Sequence, residues 1–217
     1  PVCVVIVLGA CNSTNLIDGL DGLCAGVIAI VGLALMTLAA ALSTGAEGLQ
    51  PRVALAAAVA GAALGFLPWN FRPAKIFMGD AGSMLLGYIC GMLMLSFAGL
   101  DGDSAHGAGS KPLLAALMAF AVPVLDSALA IARRKLAGKP IFKGDRSHFY
   151  DQLVDRGLSV RQTVLVCYLL GGIAGGLALA ALALSTTVTL LVYLAALAVA
   201  LVAVIRARML RVDPDPV

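Results

Sequence analysis

Residues 24–42 read CAGVIAIVGLALMTLAAAL, a run without a single charged side chain. A helix rises about 1.5 Å per residue, so such a run is long enough to cross about 30 Å of hydrocarbon. The whole chain has the same character, because 61% of its 217 residues are hydrophobic, 12% are charged and its mean hydropathy is +1.00. A soluble domain is about 45–50% apolar and about 25% charged. The sequence therefore predicts an integral membrane protein.

Further apolar runs of spanning length follow along the chain. The shorter run Val2–Ala10 cannot span a bilayer, so we expect it to be the end of a helix whose beginning lies outside this sequence. The predicted full spans are Cys24–Leu42, Val53–Trp69, Met84–Leu100, Leu113–Ala132, Thr163–Leu184 and Val188–Ile205. The expected fold is all-α, a polytopic helical bundle of six full spans after a partial N-terminal one, forming a single domain over residues 1–217.

The basic residues indicate how this bundle is oriented. When segments 12–23, 70–83, 133–162 and the tail 206–217 are placed on one side, that side holds every Lys and Arg except Arg52 and Lys111. Loops rich in Lys and Arg stay in the cytoplasm, so these segments are predicted to be cytoplasmic loops and a cytoplasmic tail. Most aspartates lie on the same face. A transporter more often carries ionisable groups near the bilayer midplane, so we regard a non-enzymatic transporter as the less favoured alternative.

The first polar motif repeats every three residues through Asn12, Asn15, Asp18 and Asp21. On a helix, residues three apart share a face, so Asn15 with Asp18 and Asp18 with Asp21 are expected to be neighbours. Two carboxylates beside two amides can bind the donors of a nucleotide or hold Mg²⁺ through water. The alternative is a solvated loop with Asp-Gly turns.

The second polar motif is NFRPAKIFMGDAGS, residues 70–83. Asp80 is expected just before a helix, where free backbone N–H groups can receive a phosphate and Gly79 permits a close approach. A carboxylate beside a phosphate indicates a bridging Mg²⁺, because the two anions otherwise repel. Arg72 and Lys75 could clamp anionic groups. Helix capping by Asp80 is the alternative, and it is compatible with metal binding.

Two further ionisable residues stand out, Asp126 at the cytoplasmic end of a span and His148 in the long loop 133–162. An acid at that depth is expected to face the bundle interior, with a structural partner such as Arg133 as one interpretation. His148 could donate to a diphosphate or transfer a proton, or it could be a surface residue. Ser159 is predicted to cap the following helix.

These motifs, in this order, resemble the polyprenyl-phosphate N-acetylhexosamine-1-phosphate transferases of the glycosyltransferase 4 family. That superfamily includes the phospho-MurNAc-pentapeptide translocase and the UDP-GlcNAc:undecaprenyl-phosphate GlcNAc-1-phosphate transferases. Residues 12–23 are similar to the family segment NxxNxxDGxDGL, and residues 70–83 to NFxPAKxFMGDxGS, the most specific match. Residues 123–134 resemble its P-x-x-D…RR helix, and residues 145–159 its DRxHxHHxLxxxGLS loop.

The resemblance implies a reaction in which undecaprenyl phosphate attacks the sugar-linked phosphorus of a UDP-N-acetylhexosamine and UMP leaves. It implies a multi-pass protein of the bacterial inner membrane, a cytoplasmic active site, and Mg²⁺, with Mn²⁺ as a substitute. It also implies a homodimer and no nucleic-acid partner. By motif, Asp80 is the catalytic metal ligand and His148 is a catalytic contact to phosphate or sugar. The implied substrate-binding residues are Asn12, Asn15, Asp18, Asp21, Asn70, Lys75, Phe77 and Arg146.

The chain departs from the family pattern at two places. Tyr150 and Asp151 replace two of the three loop histidines, and the family's adjacent Asp-Asp pair is absent from these 217 residues. We attribute the missing pair to truncation and expect this fragment alone to be inactive. Residues 145–159 are closer to the GlcNAc-1-phosphate type, so that substrate is expected, with the MurNAc-pentapeptide type as the alternative.

Overall fold

The computed structural model describes residues 1–43, 50–98, 111–138, 140 and 148–210. All regular secondary structure in these ranges is helical, which confirms the predicted all-α class. The helices are α1 (Val2–Leu16), α2 (Leu23–Leu42), α3 (Gln50–Asn70), α4 (Gly79–Leu95), α5 (Lys111–Ala119), α6 (Ala121–Leu136), α7 (Phe149–Asp155), α8 (Val160–Ala180) and α9 (Thr186–Arg206). Arg146, one of the predicted substrate-binding residues, lies outside the described residues, as does the tail from residue 211.

Four helices in the described ranges, α2, α3, α8 and α9, are long and apolar enough to cross a membrane. Together α5 and α6 would make a fifth span, but the two are bent by 70° at their junction. The predicted span Leu113–Ala132 therefore corresponds to two helices with a bend between them. Pro123 explains the break, because its ring lacks the N–H that would bond to Ala119 and clashes with that carbonyl. The count of six full spans stays a prediction, because α1 and α4 are apolar but shorter.

The helix ends also differ from the expected ones. α1 continues to Leu16 and then ends, so the helical stripe through Asn15, Asp18 and Asp21 is interrupted and the aspartates lie in turns. α4 begins at Gly79, so Asp80 lies within the first turn and does not cap the helix. Gly79 has a φ of +70°, a conformation that favours glycine at this entry. The predicted cap at Ser159 is confirmed, since Ser159 and Gln162 form a capping box.

Helix α2 is the most buried of the four candidate spans and packs between α3 and α8, whereas α9 is almost fully exposed. Helices α1 and α4 pack along each other with their backbones in contact. A Cβ at Gly87 of α4 would lie 2.6 Å from the carbonyl oxygen of Ala10 in α1, so only glycine fits there. This close approach brings the last turn of α1 beside the first turn of α4, where the polar motifs lie.

Candidate active site

An open cleft lies where the turn 17–22 after α1 meets the segment between α3 and α4. Its walls come from the first and second polar motifs, which are far apart in sequence. The lining residues are Asp18, Gly19, Leu20, Asp21, Asn70, Phe77, Met78, Gly79 and Asp80. The fold therefore brings three of the predicted carboxylates to one concave surface.

Asp80 is held from α1 by Asn15. The Asn15 side-chain amide donates to Asp80 Oδ1 and to Ser83 Oγ, each at 3.1 Å. Ser83 is buried and lies one turn after Asp80 on the same helix. Sequence spacing paired Asn15 with Asp18, whereas the structure pairs it with Asp80. Asn15 thus orients the carboxylate of Asp80 and does not itself line the cleft.

Asp18 has an electrostatic environment that disfavours its charge. Burial, followed by the negative charge of Asp80, raises the pKa of Asp18 from 3.8 to about 6. Two like charges in one cleft are a common feature of sites that bind a cation or a proton. In the absence of a ligand, the arrangement stores unfavourable electrostatic energy.

Asp21 and Asn70 connect the two loops of the cleft. Asp21 Oδ2 accepts from the backbone N–H of Ala74 at 3.2 Å and lies 3.9 Å from the Arg72 guanidinium. Asn70 is buried; its oxygen accepts from Gly22 N–H at 3.1 Å, and its amide donates to the Ile76 carbonyl at 3.0 Å. Both residues line the cleft as predicted. Their hydrogen bonds show that they also hold its walls together.

The remaining predicted residues are distributed differently. Phe77 lines the cleft with 76% of its surface exposed. Asn12 is exposed on α1, where its amide donates to the Leu8 carbonyl at 2.7 Å, and Lys75 lies 5.4 Å over the Trp69 ring. Neither Asn12 nor Lys75 belongs to the lining of the cleft.

His148 is buried at 5% exposure and pairs with Asp126, which is also 5% exposed. Asp126 Oδ2 lies 2.8 Å from His148 Nδ1, and Asp126 Oδ1 accepts from the Phe149 N–H at 2.7 Å. The interpretation of His148 as a surface residue is wrong, because its side chain is buried and pairs with Asp126. Sequence distance pointed to Arg133 as the partner of Asp126. His148 does not line the cleft formed by the described residues, so its catalytic role stays a prediction.

The donors of the cleft fit a metal ion that is shared with a substrate. In the described part of the chain, no group of three or more His, Cys, Asp and Glu side chains forms a ready metal cage. Mg²⁺ in phosphoryl-transfer sites is usually held by one or two carboxylates together with water and substrate phosphates. Asp18 and Asp80, whose charges repel each other, supply such an incomplete set.

Comparison with known proteins identifies relatives of this chain. The model of the glycosyl transferase family 4 matches residues 1–98, which hold α1 to α4 and the whole cleft lining. A decaprenyl-phosphate N-acetylglucosaminephosphotransferase of Mycolicibacterium smegmatis is 41% identical over 170 residues, which are 75% of this chain and 42% of the relative.

Two other relatives extend the comparison. A probable undecaprenyl-phosphate N-acetylglucosaminyl 1-phosphate transferase of Bacillus subtilis is 42% identical, over 79% of this chain and 45% of the relative. A phospho-N-acetylmuramoyl-pentapeptide-transferase of Heliobacterium modesticaldum is 36% identical, over 70% of this chain and 43% of the relative. The chain thus spans less than half the length of these curated relatives. These matches and its apolar helices show that the chain is a membrane protein that belongs to the glycosyl transferase family 4.

Proposed function

We propose that the protein transfers N-acetylhexosamine-1-phosphate from a UDP-sugar to undecaprenyl phosphate and releases UMP. The observation that carries this proposal is the convergence of Asp18, Asp21 and Asp80 on one cleft from two separate loops. Phosphoryl transfer needs positive charge near the diphosphate, and a carboxylate cluster is the means by which a protein recruits it. The proposed cofactor is Mg²⁺, with Mn²⁺ as a substitute.

The proposed reaction needs no reactant besides undecaprenyl phosphate and the UDP-sugar. An oxygen of undecaprenyl phosphate forms a bond to the sugar-linked phosphorus of the UDP-sugar, and the bond from that phosphorus to the oxygen of UMP breaks. Bound Mg²⁺ would offset the charge of the diphosphate and of the leaving UMP. Asp80, oriented by Asn15, and Asp18 would hold the ion. The exposed ring of Phe77 offers a surface on which a base can stack.

We propose GlcNAc-1-phosphate as the transferred group. Relatives named for N-acetylglucosamine are 39–42% identical to the chain, whereas relatives named for the MurNAc-pentapeptide are 33–36% identical. The sequence of residues 145–159 supports the same choice, because it is closer to the GlcNAc-1-phosphate type. Transfer of phospho-MurNAc-pentapeptide is the second candidate, supported by those relatives.

We further propose that the protein resides in the bacterial inner membrane with the cleft facing the cytoplasm. The support is the distribution of Lys and Arg, which places both loops of the cleft on the basic side. UDP-sugars are made in the cytoplasm, so a cleft on that side can reach them. Homodimer formation stays a prediction from family resemblance.

The test is UMP release by the complete natural gene product, purified in detergent with undecaprenyl phosphate and Mg²⁺. We expect UMP to form with UDP-GlcNAc and not with UDP-MurNAc-pentapeptide, and chelation of Mg²⁺ by EDTA to stop it. Turnover with UDP-MurNAc-pentapeptide instead would favour the second candidate. Absence of turnover with both donors, in a folded protein, would contradict the proposed function.

A further inference from the structure

The turn 17–22, which carries Asp18 and Asp21, is bonded at both ends by tyrosine hydroxyls from the other half of the chain. Tyr150 of α7 donates its hydroxyl to the carbonyl of Leu16 at 2.8 Å, just before the turn. Tyr168 of α8 donates its hydroxyl to the carbonyl of Gly22, the last residue of the turn. Two different elements therefore bond the two ends of one short segment.

Both tyrosines pack against the N-terminal half without spare space. A Cβ at Gly19, which lines the cleft, would lie 2.2 Å from the Tyr150 hydroxyl oxygen. A Cβ at Gly26 would lie 2.0 Å from the Tyr168 hydroxyl oxygen. Each ring is thus accommodated by a glycine, so the turn packs closely against Tyr150 and the start of α2 packs closely against Tyr168.

Tyr150 is itself held in place by the buried pair described above. Its ring stacks on His148, with 5.4 Å between centroids and 6° between planes. His148 is fixed by Asp126, whose other oxygen binds the N–H of Phe149 at the start of α7. The Tyr150 hydroxyl remains a proton donor, because burial and the nearby carboxylates raise its pKa well above the usual value.

We propose that Tyr150 and Tyr168 are positioning residues that keep the acidic turn 17–22 facing Asp80. Asp18 lies in a turn outside the helices, so its place in the cleft depends on how the ends of that turn are held. The hydrogen bonds at Leu16 and Gly22 hold those ends and keep Asp18 and Asp80 in one cleft before a ligand arrives. The role of the two carboxylates in ligand binding rests on the proposed function. The restraint of the turn by the two tyrosines does not.

The experiment compares Tyr150→Phe, Tyr168→Phe and the matched control Tyr193→Phe. Tyr193 donates its hydroxyl to the Leu177 carbonyl at 3.3 Å, so the control removes the same kind of hydrogen bond away from the cleft. The first measurement is amide hydrogen exchange of the intact protein in nanodiscs. We expect exchange within residues 17–22 to be about fivefold faster in the two test variants and unchanged in the control.

The second measurement is the KM for UDP-GlcNAc in the UMP-release assay. A merely structural defect lowers the amount of active protein and leaves KM unchanged, whereas a displaced Asp18 raises KM. We expect a rise of about tenfold in each test variant and none in Tyr193→Phe. Unchanged exchange of the turn in both test variants would overturn the restraint. Faster exchange with an unaltered KM would overturn the positioning role. If the wild-type protein lacks turnover, the proposed function fails, while the exchange measurement still decides the restraint.

Discussion

Asp18 and Asp126 are both shielded aspartates, yet their surroundings are opposite. Asp18 lies in a turn of the N-terminal half, where burial and the charge of Asp80 raise its pKa to about 6. Asp126 lies in the C-terminal half, where its two oxygens bind His148 and the N–H of Phe149. The first carboxylate is left with electrostatic strain, and the second has its hydrogen-bonding needs met.

This difference indicates that the N-terminal and C-terminal halves of the chain have different roles. Strained, partly shielded carboxylates are typical of ligand sites, because a bound cation relieves the strain. Satisfied buried pairs are typical of structural support, because removal of either partner is costly. The cleft lining lies entirely within residues 1–98, whereas Tyr150 and Tyr168, which bond the two ends of its turn, belong to the C-terminal half. The two kinds of aspartate should therefore respond oppositely to the same substitution.

The largest expected effect is that of Asp80→Asn on transferase activity. The substitution removes the charge that Asn15 orients towards the cleft, so we expect the rate of UMP release to fall roughly 1,000-fold, equivalent to about 4 kcal/mol. Asp155→Asn makes the same charge change at the exposed end of α7, outside the cleft lining, and should stay within about twofold of wild type. Activity of Asp80→Asn near the wild-type rate, at normal expression, would remove Asp80 from the site.

The second-largest expected effect is a loss of stability caused by a substitution in the C-terminal half. In the wild type, the two oxygens of Asp126 bind His148 and the N–H of Phe149. Asp126→Asn keeps one of these oxygens and replaces the other with an NH₂ group, so one of the two partners loses its acceptor. We expect the free energy of unfolding in mixed micelles to fall by about 2 kcal/mol. Ser127→Ala is the matched control, because Ser127 is buried beside Asp126 and bonds only within its own helix, to Pro123. Equal losses in both variants would argue against a special role for the pair.

Asp18→Asn should raise the free energy of unfolding, whereas Asp126→Asn should lower it. The folded-state pKa of about 6 lies above the ordinary value of 3.8, so ionisation of Asp18 opposes folding at neutral pH. Allowing for partial exposure, the variant should be about 1 kcal/mol more stable than wild type at pH 7.5 in EDTA. The gain should shrink as the pH falls through about 6 and vanish below about 4, where wild-type Asp18 is protonated in both states. A gain that persists at pH 3.5, or a loss at pH 7.5, would contradict the assigned strain.

Sequence reasoning located most of the cleft but not its internal connections. Asp18, Asp21, Asn70, Phe77 and Asp80 were all predicted and all line it, because each motif is short and its residues stay together whatever the helix bounds. The bond between Asn15 and Asp80 joins residues 65 apart. Helical periodicity describes neighbours within a turn or two and carries no information about such pairs.

The Asp126–His148 pair was missed although a signal for it was present. A lone acid at the end of an apolar helix needs a partner, and the following loop offered a lone histidine. Proximity in sequence favoured Arg133 instead, because it lies about two turns from Asp126 on the same helix. The bend of 70° between α5 and α6 changes the direction of α6, and only the three-dimensional packing reveals that consequence of Pro123.

The smallest effect should come from Arg72→Gln at the rim of the cleft. The guanidinium of Arg72 is half exposed and lies 3.9 Å from Asp21, while Asp21 keeps its bond from Ala74 N–H in the variant. Exposed ion pairs contribute little, so the free energy of unfolding should change by less than about 0.5 kcal/mol. The charge can still attract an anionic donor, so the KM for UDP-GlcNAc should rise about twofold in low salt and match wild type near 0.5 M salt, where screening is strong. Arg206→Gln removes the same charge at the end of α9 and serves as the control. A salt-independent rise in KM would instead indicate direct contact between Arg72 and the substrate.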